Sequence, residues 1–160
     1  MDVSTSKPAV ARIPARILIA DDEAAIREFV AQILSEVGYE VLQAGNGEEV
    51  LATTRERHPD LILLDLNMPG LDGIQTCQRL RADNATRNTP VLVVSGLDAK
   101  SALEESIIAG ADDFLAKPID AFELVVRVRS MLVTRNIHDE EKRVDAYLAN
   151  IRAMRERSEH

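Results

Sequence analysis

A carboxylate stands where a short apolar segment of the sequence ends. Residues 61–64 are all apolar, Asp65 follows them, and the next residues, LNMPGLDG, include several turn formers. An apolar run of this length that stops at turn residues is typical of a buried strand. Open α/β sheets place their ligands beyond the carboxyl ends of the strands. We therefore expect Asp65 to lie in a functional site.

Other polar groups follow apolar runs in the same way. They are Asp21 and Asp22 after residues 17–20, Ser95 after residues 91–94, and Lys117-Pro118 after residues 113–116. On one edge of a parallel sheet these groups would form a rim of carboxylates, a hydroxyl and an ammonium. Carboxylates held so close together must take up protons or bind a cation, and all-oxygen ligands suit Mg²⁺. The ammonium and the hydroxyl could pair with phosphoryl oxygens.

Each of these residues also has an ordinary structural explanation. Acids such as Asp21 and Asp22 stabilise the start of a helix, and a serine such as Ser95 often caps the end of a strand. A lysine is by default a surface residue. The ordered set favours chemistry more strongly than any one member does.

Strand-like and helix-like segments alternate from residue 16 onward. Strands are predicted over residues 17–20, 40–44, 61–65, 91–95 and 113–116. The predicted helices cover a segment with Ile26, Phe29, Ile33 and Val37 on one face that ends at Gly38, then residues 48–57, 73–81 and 99–109, and a segment from about Asp120. This alternation predicts an α/β fold of the flavodoxin-like kind, a five-stranded parallel sheet in the order 2-1-3-4-5 with helices on both faces.

Composition excludes several classes of protein. The chain has 160 residues, enough for one ordinary domain, and a net charge of −8, which argues against a nonspecific grip on nucleic acid. The single Cys77 excludes an internal disulfide framework and fits a reducing compartment. No stretch approaches the roughly 20 apolar residues of a membrane span. We expect a soluble, cytoplasmic protein that binds neither nucleic acid nor membrane.

The two ends of the chain differ from its centre. Residues 1–15 are interpreted as a flexible N-terminal tail, residues 16–134 as the domain, and residues 135–160 as a helical extension or linker. The extension carries an apolar stripe of Ile137, Val144, Tyr147, Leu148, Ile151 and Met154. We predict that the fifth helix continues unbroken past Arg135 and forms a parallel coiled-coil homodimer. The alternative is a single solvated linker helix or a frayed tail.

The ordered set and two longer strings resemble a known family. Asp21-Asp22, Asp65, Ser95 and Lys117-Pro118, together with the strings DLNMPGLDG and GADDFLAKP, are similar to the receiver domain of bacterial two-component response regulators. The resemblance covers residues 16–133. It implies a signalling switch that accepts a phosphoryl group from a histidine kinase or phosphotransfer protein.

The resemblance also implies a role for each residue of the set. Asp65 would be the phosphoacceptor, Ser95 would contact the phosphoryl group and move on activation, and Lys117 would form an ion pair with that group. Mg²⁺ would be held by Asp22 and Asp65 directly, by Asp21 through water, and by the backbone carbonyl of Asn67.

Family members carry a switch aromatic where this chain has Phe114, often as tyrosine, so a readout that needs the hydroxyl is lost here. The Lys117-Pro118 bond is expected to be cis. The surface of the fourth helix, fifth strand and fifth helix would change on phosphorylation and meet an output partner that the sequence does not identify.

Two other functions stay open at this point. One is an aspartyl-phosphate hydrolase of the haloacid-dehalogenase type, although that nucleophile normally follows the first strand in a DxD motif, whereas Asp65 follows the third and has Asn67 two positions on. The other is a scaffold that acts without phosphorylation. In the leading interpretation the chain is not an enzyme acting on a separate substrate. It contributes catalytic groups to its own phosphorylation and dephosphorylation.

Overall fold

The computed structural model describes residues 13–96 and 99–159. Residues 1–12 of the predicted N-terminal tail lie outside this part of the chain. Within the described residues, no helix combines the length and the apolar character that crossing a membrane requires.

In the described residues, five parallel strands form one sheet, and six helices accompany them. The strands are β1 (Arg16–Ala20), β2 (Glu40–Ala44), β3 (Leu61–Asp65), β4 (Val91–Ser95) and β5 (Asp113–Ala116). The helices are α1 (Ala24–Val37), α2 (Gly47–Arg57), α3 (Gly73–Ala82), α4 (Ala99–Ala109), α5 (Ala121–Thr134) and α6 (Glu140–Ser158). The strand order is β2-β1-β3-β4-β5, as the alternating pattern predicted.

Apolar side chains cover both faces of the three central strands. Every residue of β3 and β4 is buried, and so are four of the five in β1. One core lies between the sheet and α2, α3 and α4, and the other lies between the sheet and α1 and α5. Burial on both faces explains why these strands read as continuous apolar runs rather than alternating ones.

The buried face of α1 differs from the predicted one by about one residue. Val30 and Leu34 are the buried residues of this helix, whereas Phe29 is 52% exposed. Ile26 and Ile33 pack at the margin of the same core. Each residue turns a helix by about 100°, so the face that includes Val30 leaves Phe29 at its solvent edge.

The prediction of one unbroken C-terminal helix was wrong. Helix α5 ends at Thr134, and a new helix, α6, begins after Asp139. The Asp139 side chain accepts a hydrogen bond from the backbone N–H of Lys142 at 3.0 Å, which caps the start of α6. An aspartate in this place stabilises a new helix start. The segment therefore turns between residues 135 and 139, although no glycine or proline marks the turn.

Helix α6 folds back onto α5 and β5. The Tyr147 hydroxyl donates a hydrogen bond to Asp113 of β5. Ser130 of α5 donates to the side-chain oxygen of Asn150 at 2.8 Å. Arg155 pairs with Glu123 of α5 at 2.7 Å. In this arrangement part of the predicted dimer stripe packs against the chain's own domain.

The Tyr147 hydrogen bond predicts a stability change. Tyr147→Phe should lower the free energy of unfolding by about 1 kcal/mol at neutral pH, because it removes a hydrogen bond to a charged group. Burial, followed by the negative charge of Asp113, raises the pKa of Tyr147 above its ordinary value of 10.0. The folded chain holds this proton more tightly than the unfolded chain, so the stabilisation is full below pH 10.0 and declines above it. Urea unfolding followed by circular dichroism, at neutral pH and above pH 10.0, measures these effects.

Tyr39→Phe is the matched control, since the chain has two tyrosines. Its free energy of unfolding should fall at high pH as that of the wild type does. If the free energy of unfolding of Tyr147→Phe stays below that of wild type by the same amount from neutral pH to above pH 10.0, the prediction is contradicted.

Candidate functional site

Three carboxylates converge at the carboxyl edge of the sheet. One oxygen from each of Asp21, Asp22 and Asp65 lies within 4.8 Å of the others. Asp21 and Asp65 are each only 3% exposed, whereas Asp22 is open to solvent. Two buried acids thus lie beside a third that solvent can reach.

Strand register brings these acids together. Ala20 of β1 is paired with Leu64 of β3, so Asp21 and Asp65 leave neighbouring strands at the same level. The Asp21 side chain accepts a hydrogen bond from the backbone N–H of Glu23 at 2.8 Å, which holds it at the start of α1. Two neighbouring parallel strands therefore place both carboxylates on one rim.

The loop after β3 is held close to Asp65. The Asn67 backbone N–H donates to Oδ1 of Asp65 at 3.2 Å. A Cβ atom on Gly73, the first residue of α3, would overlap the carbonyl oxygen of Asp65 and Cα of Leu66. Asp72 caps α3 by accepting from the Gln75 backbone N–H at 2.9 Å. The glycine lets α3 begin directly against the backbone of Asp65, which fixes the path of the loop.

Lys117 bridges the two buried acids. Its Nζ lies 3.0 Å from Oδ2 of Asp21 and 3.5 Å from Oδ1 of Asp65. Lys117 therefore lies on the same rim as Asp65, as the sequence predicted, and its closer contact is to Asp21. The Lys117 backbone N–H donates to the carbonyl oxygen of Ser95 at 2.9 Å. The predicted cis bond between Lys117 and Pro118 is confirmed.

Ser95 and Phe114 lie in β4 and β5, the first and second strands on one side of β3. Ser95 ends β4 and is fully buried, one position beyond Val94, which pairs with Asp65. Phe114, in β5, is paired with Val93 of β4. It is partly buried and packs against the core between the sheet and helices α2, α3 and α4. Both residues therefore lie in strands that border the site.

Electrostatics at the site reflect burial and mutual charge. Burial raises the pKa of Asp65, and the charge of Asp21 raises it further, against the opposing effects of the Asn67 N–H and Lys117. Burial alone would lower the pKa of Lys117. The hydrogen bond to Asp21 and the charge of Asp65 outweigh that effect, so this pKa lies above its ordinary value. Lys117 is therefore a firm positive charge at neutral pH.

Sequence reasoning missed one residue that supports the site. Arg27, on α1, donates through Nη1 to the backbone carbonyl oxygen of Asp21 at 2.6 Å. It also donates through Nε to Gln43 of β2 at 3.3 Å. Its position in the first turn of α1, shortly after the acid pair, could have suggested this contact. An arginine at such a position is also common on an exposed helix face.

The donor set suits a hard divalent cation. Its side-chain ligand atoms are all carboxylate oxygens, and one of the three acids is exposed. Mg²⁺ prefers oxygen ligands and keeps several of its waters, for which an open side is needed. Burial raises the pKa of Asp65, so a cation bound beside this carboxylate would offset a charge that burial disfavours.

A family model of the response regulator receiver domain matches residues 17–129. The chain belongs to this family. Receiver domains are signalling switches of two-component systems, and they bind Mg²⁺ at an acidic pocket such as the one formed here by Asp21, Asp22 and Asp65.

Curated relatives share the receiver region but are longer. The DNA-binding dual master transcriptional regulator RpaA of Synechocystis is 44% identical over 117 residues, 73% of this chain and 48% of that protein. The response regulator PleD of Caulobacter vibrioides is 41% identical over 133 residues, 82% of this chain and 29% of that protein. The chain therefore spans about half or less of the length of these relatives.

Solved receiver structures have the same fold. The receiver domain of the Francisella response regulator 1452 superimposes with a TM-score of 0.70 at 35% identity, covering 74% of this chain and 97% of that one. The receiver domain of NtrX from Brucella abortus gives 0.69 at 34% identity, covering 74% and 98%.

The raised pKa of Asp65 predicts the effect of neutralising it. In a chelating buffer, Asp65→Asn should be more stable than wild type at neutral pH, because the amide resembles the neutral carboxyl that burial favours. Because the pKa of Asp65 is raised in the folded state, the wild-type chain loses stability as the pH rises above 3.8, the ordinary pKa of this group. The stability difference between Asp65→Asn and wild type should therefore shrink as the pH falls toward 3.8. Urea unfolding across this pH range measures the difference.

Asp145→Asn provides the same chemical change at an exposed position of α6. It should keep the wild-type pH profile. If Asp65→Asn is less stable than wild type at neutral pH, burial does not govern this carboxylate.

Proposed function

We propose that this chain is a phosphoacceptor switch in which Asp65 receives a phosphoryl group from a histidine kinase or phosphotransfer protein. The observation that carries the proposal is the arrangement around Asp65. A buried carboxylate at the end of β3 lies 3.5 Å from the Lys117 ammonium and beside two further acids. The receiver-domain match over residues 17–129 supports it.

The chemical step needs little beyond positioning and charge. An oxygen of Asp65 forms a bond to phosphorus while the bond from phosphorus to the donor breaks, and the donor leaves with that electron pair. The transition state is loose, with charge spread over three equatorial oxygens. Lys117 would pair with one of these oxygens, and Ser95 would donate a hydrogen bond to another.

We propose Asp22, Asp65 and the backbone carbonyl of Asn67 as direct ligands of Mg²⁺, and Asp21 as a ligand through water. When bound, Mg²⁺ would supply positive charge that offsets the clustered carboxylates and the incoming phosphoryl group. Asp22 is exposed and Asp21 is buried and bonded to Lys117, which supports this division of roles.

The expected output is a change in the surface formed by α4, β5 and α5. Ser95 and Phe114 are proposed to move with the phosphoryl group, since Ser95 ends the strand next to Asp65 and Phe114 lies in the strand beyond it. We take residues 16–134 as the receiver unit and the cytoplasm as its location. The kinase and the output partner are not identified by any residue of this site.

The two competing functions have less support. A haloacid-dehalogenase hydrolase uses a nucleophile after the first strand, whereas Asp65 ends β3. A scaffold has no need for two buried acids side by side, since burying charged groups is costly.

Acetyl phosphate and a mass spectrometer test the proposal directly. In Mg²⁺ the chain should gain one phosphoryl group, on Asp65. Asp65→Asn should reduce labelling by about a hundredfold or more, because an amide is a poor nucleophile toward phosphorus. Asp22→Ala should need much more Mg²⁺ for the same labelling, since it removes a direct ligand.

Asp145→Asn is again the matched control and should label like wild type. Undiminished labelling of Asp65→Asn would refute the assigned phosphoacceptor. Rapid release of phosphate from a small phosphomonoester would favour the hydrolase instead.

We also propose a homodimer through α5 and the C-terminal extension. Ile151 is buried and Tyr147 packs at the core in the folded-back arrangement, so they cannot also form a seam between two chains. Val144 and Leu148 are 46% and 49% exposed, and they supply the apolar surface for pairing. A seam that uses the whole stripe requires α6 to leave α5.

Light scattering tests this arrangement. The full chain should be monomeric without phosphodonor and dimeric with acetyl phosphate and Mg²⁺, whereas a chain truncated after Thr134 should be monomeric under both conditions. A monomer under all conditions at about 100 μM, where even weak specific pairing is measurable, would refute the dimer.

A further inference from the structure

Helix α6 lies over β5 and α5 and is attached along the length of α5. Arg155 contacts Glu123 in the first turn of α5, and Asn150 contacts Ser130 nearer its end. Tyr147 reaches past α5 to Asp113 on β5, where Arg127 also pairs with that carboxylate. One helix thus covers a surface built from two elements of the domain.

This attachment is polar and shallow. Of the 19 residues of α6, all of them described, only Ile151 is buried. Two further apolar residues, Val144 and Leu148, are about half exposed. Segments with few buried apolar contacts open at a small fraction of the global unfolding free energy. The contacts therefore hold α6 in place, but the free energy needed to release it is small.

The strand beneath α6 also serves the acidic site. Asp113, the contact of Tyr147, is the first residue of β5, and Lys117 directly follows its last residue. Lys117 is 3.0 Å from Asp21 and 3.5 Å from Asp65. A strand of four residues therefore joins the anchor of α6 to the ammonium of the site.

The two ends of this strand respond to different charges. In the structure, α6 is docked on the arrangement of β5 in which Lys117 is closest to Asp21. A phosphoryl group on Asp65 adds negative charge on the other side of the ammonium and favours a different position of Lys117. Two interactions that prefer different arrangements of one element oppose each other.

We propose that α6 is a reversible cover of the surface formed by β5 and α5, and that phosphorylation of Asp65 releases it. The release rests on the proposed phosphoacceptor function, whereas the docking does not. The cover keeps this surface from other proteins until the site is phosphorylated.

Hydrogen exchange of the full chain, read by mass spectrometry, tests both parts. Most helical stability in proteins comes from packing, so α6 should exchange faster once it leaves α5. With acetyl phosphate and Mg²⁺, at a protein concentration low enough that light scattering shows a monomer, exchange in residues 140–158 should rise by about fivefold or more, the lower range of typical coupling between sites. Asp65→Asn under the same conditions should show no rise.

Variants test the docking without phosphodonor. Tyr147→Phe combined with Arg155→Ala should raise exchange in residues 140–158 and leave α1 unchanged. Arg152→Ala is the matched control, because Arg152 is an exposed arginine on the same helix. If the double variant exchanges like Arg152→Ala, these contacts do not hold the helix, and the cover is refuted.

The remaining outcomes separate the two proposals. If mass spectrometry shows a phosphoryl group on Asp65 and exchange in α6 is unchanged, the coupled release is wrong and the phosphoacceptor function stands. If Asp65 takes no phosphoryl group, the phosphoacceptor function fails and the release fails with it. Rising exchange throughout the domain would indicate general loosening and would also refute a specific release.

Discussion

The structure depends on keeping two carboxylates, Asp21 and Asp65, buried side by side. Like charges at this separation repel, and burial removes the water that would screen them. The Lys117 ammonium between them and the backbone N–H groups of Glu23 and Asn67 offset part of that cost. These partners come from the segments after β1, β3 and β5, so the edge of the sheet must be rigid. The close-packed strands with apolar cores on both faces provide that rigidity.

The fold and the convergence of the acids could be predicted because they depend on local and repetitive features. Apolar runs that stop at turn residues identify strands, and parallel strands end at one edge. Once β1 and β3 are neighbours, Asp21 and Asp65 can hardly lie far apart. The finer contacts could not be obtained this way. That Lys117 approaches Asp21 more closely than Asp65 depends on side-chain positions of a few tenths of an ångström, which sequence spacing does not encode.

The C-terminal segment shows where sequence patterns stop being informative. Its apolar residues fit a seam between chains and a face packed on α5 equally well, because both require three- and four-residue steps. What decides the outcome are polar pairs distant in sequence, such as Ser130 with Asn150 and Glu123 with Arg155. The turn after Thr134 carries no glycine or proline, and the capping Asp139 resembles any other acid on a solvated helix. Phe29 illustrates the same limit on a smaller scale, since a shift of one position separates a core residue from an exposed one.

The Tyr147 hydrogen bond gives the protein an optical property. The chain has no tryptophan and only two tyrosines, so its tyrosine fluorescence comes from Tyr39 and Tyr147. A phenol that donates to a carboxylate emits weakly, because the excited ring transfers its proton to that acceptor. Tyr147, bonded to Asp113, should therefore be dim while α6 is docked and bright when it is free. The native chain thus carries an intrinsic fluorophore at the joint between its last helix and its sheet, with no attached dye needed.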